Sequence, residues 1–477
     1  MGFPLRSILK ANDLRGGVPE QWDAPQARAL GVAFAEICDA EAAVVGHDMR
    51  VSGPSLADAF IDGLTSQGID AIDLGMCSTD AAYFASGTRE LPGAMITASH
   101  NPAGDNGMKV MGARARPIGR DTGLAQMVDR AEQLLSDDAA PSPAVPGRPG
   151  KRESWAVFPD YAAYLRSLVD LSGIAPVRIA IDAGNGMGGL VAEAVFGDAA
   201  GLAPLPIEII PLYFEPDGTF PNHPPNPLDP ANTRDVARAV KETGADLGLA
   251  FDGDADRCFV IDEKGQVTSP SAIAAIVASG LIARESEVRT PVIIHNLIVS
   301  KIVPEMIKAA GATPIRSQVG HAFIKEIMAQ QGAVFGAEHS AHYYFRDFFF
   351  ADTGILAAMH LLAQRDKAGR TVSELTDFYQ PYTASGELNS RVADTAKAID
   401  RIRQTFAEDE AAGIVKLDTL DGLTIDHWDS PPRWWANVRA SNTEPLLRLN
   451  VEAADADIMV KVRDGIAQVL KSGEQGE

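Results

Sequence analysis

Apolar positions along this chain follow two rhythms that alternate. A short apolar run, AAVVGHD at 42–48, leads into VSGPSLADAFIDGLTSQG, where Leu56, Phe60, Ile61 and Leu64 fall at helical spacing, and then into a second run, AIDLG at 71–75. Short runs bounded by turn residues predict buried strands, and the spacing between them predicts one face of a helix. The unit recurs at VRIAIDAGNG (177–186) and at PVIIHNL (291–297), the latter followed by SKIVPEMIKAAG. Such alternation predicts parallel sheets covered by helices. No tandem repeat of solenoid period is present.

The rhythm breaks at three places. SDDAAPSPAVPGRPG (136–150) has the Pro, Ala and Gly content of a linker. A turn at Glu263, Lys264 and Gly265 precedes a new apolar helix, SAIAAIVASGLIA, and YQPYTASGE interrupts the pattern near 380–388. Beyond it, TAKAIDRIRQTF reads as helix, and GIVKLD, ANVRA and LLRLNVEA read as strands. The breaks divide the chain into 1–150, carrying the linker 136–154, then 155–266, 267–382 and a smaller α+β region, 383–477.

Length agrees with several domains, since 477 residues exceed one ordinary core. Sixty-four acidic residues against 42 basic ones give a net charge of −22, a field that repels a phosphate backbone and argues against nucleic acid or an anionic membrane as partner. A phosphorylated substrate would therefore need a locally basic pocket. No run reaches the ~18 apolar residues of a membrane span, and MGFPLRSILKANDLRGG lacks a signal-peptide core, so an unsecreted, cytoplasmic protein is expected. Cys38, Cys77 and Cys258 lack C-x-x-C spacing and read as free thiols.

Four polar stretches carry candidate chemistry. In GAMITASHNP (93–102), Ser99 lacks the flanking glycines of a hydrolase nucleophile elbow. Adjacent side chains diverge, so His100 is not Ser99's base merely by following it; a Ser/Asn/Pro turn is the plain alternative. In LGLAFDGDADRCFVID (247–262), Asp252, Asp254 and Asp256 alternate after an apolar strand. Carboxylates this close repel one another unless a hard cation lies among them, and all-oxygen ligands favour Mg²⁺, Mn²⁺ or Ca²⁺ over zinc. An EF-hand shares the spacing, with Glu263 at its twelfth position, but Arg257 stands where that loop requires Gly and the flanks read as strands.

The third stretch, FGAEHSAHYYFRD (335–347), crowds Glu338, His339, Ser340 and His342 into five residues, a density of donors and acceptors suited to sugar hydroxyls; a capped helix start is the alternative. Its H-x-x-H lacks the spacing of a zinc helix. The fourth, VRASNTEPLLRL (438–449), sets Arg439, Ser441, Asn442 and Thr443 between two strands, where guanidinium, hydroxyls and loop amides grip a phosphate, or where Asn and Thr simply make a turn.

In this order the four loops resemble those of the α-D-phosphohexomutase superfamily, the phosphomannomutase and phosphoglucomutase group, through T-A-S-H-N-P at 97–102, D-G-D-A-D-R at 252–257, E-H-S-A-H at 338–342 and R-A-S-N-T at 439–443. NDLRG (12–16), GHDMRVSGP (46–54), NGMK (106–109), DAGNG (182–186) and PDGTFPNH (216–223) also resemble family segments. The resemblance implies four domains around a central cleft, three α/β with mixed sheets and a smaller C-terminal α+β domain. Four departures stand out: Asn12 replaces a frequent Tyr, Ala255 and Ala341 replace glycines, and Lys301 is offset from the family's basic residue in the third domain. Alanine strains either turn if φ there is positive.

The resemblance further implies that Ser99 carries a phosphoryl group, passes it to a hexose phosphate and regains the other phosphate from a 1,6-bisphosphate, which also serves as activator. Mg²⁺ would be held by Ser99, Asp252, Asp254 and Asp256. Lys109 and His342 are the implied acid and base, with Arg15 assisting and His100 orienting the loop. Arg257, Glu338, His339 and Ser340 would bind the sugar phosphate, while Arg439, Ser441, Asn442 and Thr443 would clamp the idle phosphate. A small-molecule hexose phosphate is thus the expected partner of a monomer or weak homodimer. Phosphoglucosamine mutase, a Mg²⁺-dependent sugar phosphatase and a non-catalytic sugar-phosphate binding protein are the alternatives.

Overall fold

The computed structural model describes residues 3–136, 148–392, 394–440 and 446–472. Four sheets follow one another along the chain. In the first, Ala42–His47 runs parallel to Asp70–Met76 and to Gly93–Ile96, and Asp105–Gly112 lies antiparallel between Gly93–Ile96 and Leu14–Gly17. The helix over Gly53–Ser66 buries Leu56, Phe60, Ile61 and Leu64, the positions its periodicity predicts. In the second sheet, Val177–Asp182 is parallel to Ile207–Leu212 and to Leu247–Phe251, which turns back antiparallel as Cys258–Ile261.

The third sheet sets Val292–Asn296 parallel to Thr313–Ser317 and Phe335–Ala337, then reverses through Tyr343–Phe345 and Ala351–Asp352. The fourth is antiparallel throughout, in the order Thr383–Arg391, Leu446–Ala453, Trp434–Ala440, Leu423–His427, Lys416–Asp418. The first three sheets are therefore mixed, where the strand and helix alternation alone predicts parallel ones. A short connection forces its two strands antiparallel, whereas a parallel pair needs a long crossover. The stretches 97–104, 252–257 and 338–342 are short connections of this kind, so each motif loop joins an antiparallel strand pair.

Two stretches differ from expectation. Arg152–Ser154, placed in the linker, is an edge strand of the first sheet, parallel to Asp70–Met76, and the helix Leu124–Ser136 ends where the linker was expected to begin. The polar stretch TASGELNSR forms the edge strand Thr383–Arg391, which bulges between Ala384 and Glu387 and fully buries none of its residues. An edge strand with one neighbour needs no apolar face, so apolar periodicity does not reveal it.

One apolar cluster runs through the second and third sheets onto one face of the first, with Val44, Met95, Ile179, Val260 and Phe335 among its members. The opposite face of the first sheet packs its own cluster around Phe34, Phe60 and Ile96. The fourth sheet has a separate core around Ile425, Ala436 and Leu449. Cys38, Cys77 and Cys258 are free thiols. No helix among the described residues is long and apolar enough to cross a membrane.

Candidate active site

The fully buried strand Gly93–Ile96 delivers Ser99, whose φ of +50° lies in the left-handed region. The strand Leu247–Phe251 delivers Asp252, Asp254 and Asp256, all buried. These two loops meet backbone to backbone: a Cβ on Gly253 would lie 2.5 Å from the Ser99 carbonyl oxygen. Glycine at that position lets Ser99 Oγ reach Asp252, and the hydroxyl donates to Oδ2 at 2.8 Å.

Basic groups surround the acids. Lys109, on the neighbouring strand, donates to Asp254 Oδ2 at 2.7 Å and to Asp256 Oδ2 at 2.5 Å. Arg257 Nε donates to Asp252 Oδ2 at 2.8 Å, while its Nη2 lies 3.3 Å from Ser99 Oγ and 2.5 Å from His100 Nδ1. Arg15 Nη1 reaches the Ala98 carbonyl and Asn101 Oδ1, bracing the serine loop from its other side.

The three aspartates present ligand oxygens within 4.8 Å of one another. Lys109 occupies one oxygen each of Asp254 and Asp256, whereas Asp254 Oδ1 and Asp256 Oδ1 are buried without a hydrogen bond. Burial, reinforced by Asp256 and Asp254 against the pull of Arg257, pushes the Asp252 carboxyl up to about 8. Buried oxygens with no donor, in a set of all-oxygen ligands, fit a hard divalent cation. Asp256, His342 and Asp352 form a second close grouping.

The third sheet closes the site. Arg257 and His342 pair as an isolated antiparallel bridge, which joins the aspartate loop to the 338–342 loop. His342 Nε2 lies 3.6 Å from Asp256 Oδ1, and its Nδ1 lies 3.0 Å from Ser340 Oγ. Ser99, Lys109, Arg257, His342, Arg15 and Arg448 share the wall of one cavity of about 530 Å³, so all four sheets contribute to it.

Models of the phosphoglucomutase/phosphomannomutase family match the chain four times: its α/β/α domain I at residues 6–134, domain II at 159–265, domain III at 269–382 and its C-terminal domain at 387–469. The chain belongs to this family. It is 37% identical over 467 residues to a protein named phosphohexose mutases from Xanthomonas campestris pv. campestris, covering 97% of this chain and 99% of that one. It is also 37% identical over 452 residues to the phosphomannomutase of Escherichia coli K12, covering 94% of this chain and 95% of that one. A solved phosphoglucomutase/phosphomannomutase family protein from Burkholderia thailandensis superposes with a TM-score of 0.84 at 29% identity, covering 99% of this chain and 98% of that one.

Within this family member, several residues have settings the sequence did not reveal. His100 does approach Ser99, at 3.3 Å from Nδ1 to Oγ, contrary to the divergence expected of neighbours; the left-handed turn at Ser99 folds the two side chains together. Burial, together with the charges of Arg257 and Arg15, drives the His100 imidazole well below its usual range, so the ring is neutral. Burial alone would favour a neutral Lys109, but Asp254 and Asp256 outweigh it and hold the amine well above its usual range. An ammonium so fixed is a positive charge set directly against two of the three aspartates.

Glu338 is buried and accepts from Tyr344 Oη (2.5 Å), the Gly320 amide (3.1 Å) and Asn296 Nδ2 (3.3 Å). His339 Nδ1 lies 3.4 Å from Ser271 Oγ. Neither these two residues nor Ser340 and Arg439 line the cavity. Arg439 instead pairs with Glu387 at 3.1 Å, and Arg448 shares the same carboxylate at 3.3 Å. Ser441, Asn442 and Thr443 lie outside the described residues. Ala255 and Ala341 both sit at positive φ, +62° and +66°. Lys301 pairs with Asp426 at 2.5 Å and is absent from the cavity wall.

Among the cavity residues that the sequence did not mark are His321, Tyr83 and Asp352. His321 opens the helix His321–Gln331 and carries a buried Nδ1 with no partner, and burial with the nearby charge of Lys325 holds its ring well below the usual range. Tyr83 and Asp352 face Lys325, whose Nζ lies 2.7 Å from Asp352 Oδ1 and 3.9 Å from the Tyr83 ring centroid. The sole sequence signal was a histidine directly after Gly320, at a helix start.

Proposed function

We propose that this enzyme is a phosphohexomutase interconverting hexose 1-phosphate and hexose 6-phosphate, of mannose or glucose, with Ser99 as the phosphoryl carrier. The observation that carries this reading is the 2.8 Å contact of Ser99 Oγ with Asp252, beside the unpartnered oxygens of Asp254 and Asp256. In the first half-reaction a free sugar hydroxyl forms a bond to the phosphorus of phospho-Ser99, and the bond from phosphorus to Ser99 Oγ breaks. The hydroxyl proton leaves to a nearby base, and Oγ is reprotonated when the phosphoryl group has moved on. The resulting 1,6-bisphosphate turns end for end and returns its other phosphate to Ser99, so no phosphate is lost.

Each residue has a part that follows from its charge and place. Arg257, held against Asp252, points a guanidinium at Ser99 Oγ, where negative charge gathers as the phosphoryl departs. Lys109 offsets the carboxylates, so a second phosphate is not repelled. His342, on the cavity wall and close to Asp256, and Lys109 would exchange the sugar proton, with Arg15 assisting and His100 orienting the serine loop. Glu338 and Ser340 would hold the sugar hydroxyls on substrate binding, and Arg439 with its following loop would hold the idle phosphate. Mg²⁺ held by Asp252, Asp254, Asp256 and the Ser99 phosphoryl group would withdraw charge from the transferring group.

The test is an incubation with mannose 1-phosphate or glucose 1-phosphate, Mg²⁺ and a trace of the 1,6-bisphosphate. Formation of the 6-phosphate without inorganic phosphate supports the mutase. Release of inorganic phosphate alone would make the protein a phosphatase, and binding without turnover would make it a sugar-phosphate receptor.

A further inference from the structure

Arg50, in the GHDMR segment, is 1% exposed and does not line the cavity. Its guanidinium is nevertheless tied to the serine loop at four points. Nη2 donates to the carbonyls of Ser99 (2.8 Å) and Asn101 (2.7 Å), and Nη1 donates to those of Pro102 and Asp105 (both 2.7 Å). The amide side of Ser99 is held from the same turn: Ser99 N–H donates to Thr97 Oγ1 at 2.9 Å, and Thr97 Oγ1 donates to Asp48 Oδ2 at 2.6 Å. Asp48 in turn accepts the Arg50 amide at 2.9 Å.

The turn Asp48–Arg50, which has no place in the cavity, thus holds the Ser99 carbonyl directly and its N–H through Thr97. A serine at φ +50° costs about 1–2 kcal/mol relative to right-handed backbone, so something must hold it there. The grip turns the Ser99 carbonyl toward Arg50, and the hydroxyl is left to face Asp252. A second element covers the grip. The Phe220 ring centroid lies 5.3 Å from the Arg50 guanidinium carbon, and a Cβ on Gly218 would lie 2.7 Å from Arg50 Cα. PDGTFPNH therefore packs against the turn that carries Arg50.

We infer that Arg50 is a positioning residue for phosphoryl transfer, holding Ser99 in the left-handed turn that aims its oxygen at the aspartate cluster. A planar guanidinium offers paired donors in fixed directions, and a lysine ammonium offers three donors and cannot reproduce four diverging bonds. The inference rests on Ser99 being the phosphoryl carrier.

The test compares wild type, Arg50→Lys and Thr97→Val, each loaded from glucose 1,6-bisphosphate, with the fraction phosphorylated on Ser99 read by mass. The rate is expressed per phosphorylated molecule, which removes any loss due to misfolding. A misplacement near 1 Å costs about a hundredfold in rate. Arg50→Lys should accordingly lose about that in kcat, with KM for glucose 1-phosphate within threefold of wild type, and Thr97→Val should show a smaller fall in kcat with the same unchanged KM. A role in folding alone would lower the phosphorylated fraction and leave kcat per phosphorylated molecule intact, and that result in the two variants would overturn the inference. Should Arg50→Lys not fold, Thr97→Val decides by the same criterion. Wild type that never acquires phosphate on Ser99 would overturn the carrier reading and this inference with it.

Discussion

Ser99 Oγ and Asp252 Oδ2 lie 2.8 Å apart across 153 residues of chain, each at the end of a buried strand in a different sheet. That contact makes the serine part of the aspartate cluster, and the consequences can be measured.

Ser99→Ala removes the carrier at small structural cost. The hydrogen bond to Asp252 is lost, about 1.5–3 kcal/mol, with the longer 3.3 Å contacts to Arg257 Nη2 and His100 Nδ1, and Asp252 keeps Arg257 Nε. Turnover should fall by orders of magnitude while the variant stays folded by circular dichroism. Wild-type flux would remove Ser99 from the reaction.

The aspartate cluster predicts a metal effect readable without turnover. A ligand at a hundred times its Kd stabilises a protein by about 2.7 kcal/mol. Titrating Mg²⁺ into metal-stripped protein should raise its melting temperature, and Asp254→Asn should shift the titration to at least tenfold higher Mg²⁺. Equal titrations for the two proteins would place the cation elsewhere.

Ala255 and Ala341 occupy left-handed turns that glycine adopts freely. Alanine pays about 1–2 kcal/mol there, but glycine loses a buried methyl worth about 0.8 kcal/mol and about 0.4–1 kcal/mol of chain entropy. Glycine variants should therefore unfold within about 1 kcal/mol of wild type. A β-branched side chain has no such relief, and Ala341→Val should be the least stable of the set in urea melts.

Asp80 joins three distant segments, accepting from Ser78 Oγ and Tyr161 Oη at 2.5 Å and from Thr353 Oγ1 at 2.7 Å. Burial pushes its carboxyl up to about 6 in spite of these donors. A raised carboxyl favours the fold fully below its unfolded value near 3.9, and that contribution is lost as pH rises toward 6. The stability of wild type relative to Asp80→Asn should fall by up to about 1.4 kcal/mol per pH unit between about 4 and 6 and then level off. Denaturant melts at pH 4, 5, 6 and 7 measure this, and a constant difference would contradict it.

The motif loops were legible because their chemistry is crowded into contiguous stretches: DGDAD announces clustered carboxylates, and the strand before it is a plain apolar run. The second tier was not. Arg50 acts through backbone carbonyls, and a carbonyl is present at every residue, so nothing in the sequence marks the four that converge on it. His321 and Asp352, the latter paired with Lys325, come from the third sheet's region and meet Tyr83 of the first domain only through packing. The edge strand Thr383–Arg391 was hidden by its polarity, and the parallel sheets predicted from alternation became mixed wherever a motif loop was too short to cross over.

The central claim is that one hydroxyl carries the phosphoryl group between the two ends of the sugar. The most direct measurement is the mass of the Ser99 peptide during turnover of glucose 1-phosphate or mannose 1-phosphate with Mg²⁺ and trace bisphosphate. The account predicts one added phosphate on Ser99 that exchanges with labelled substrate as fast as the 6-phosphate appears. An unmodified Ser99 throughout active isomerisation would contradict it.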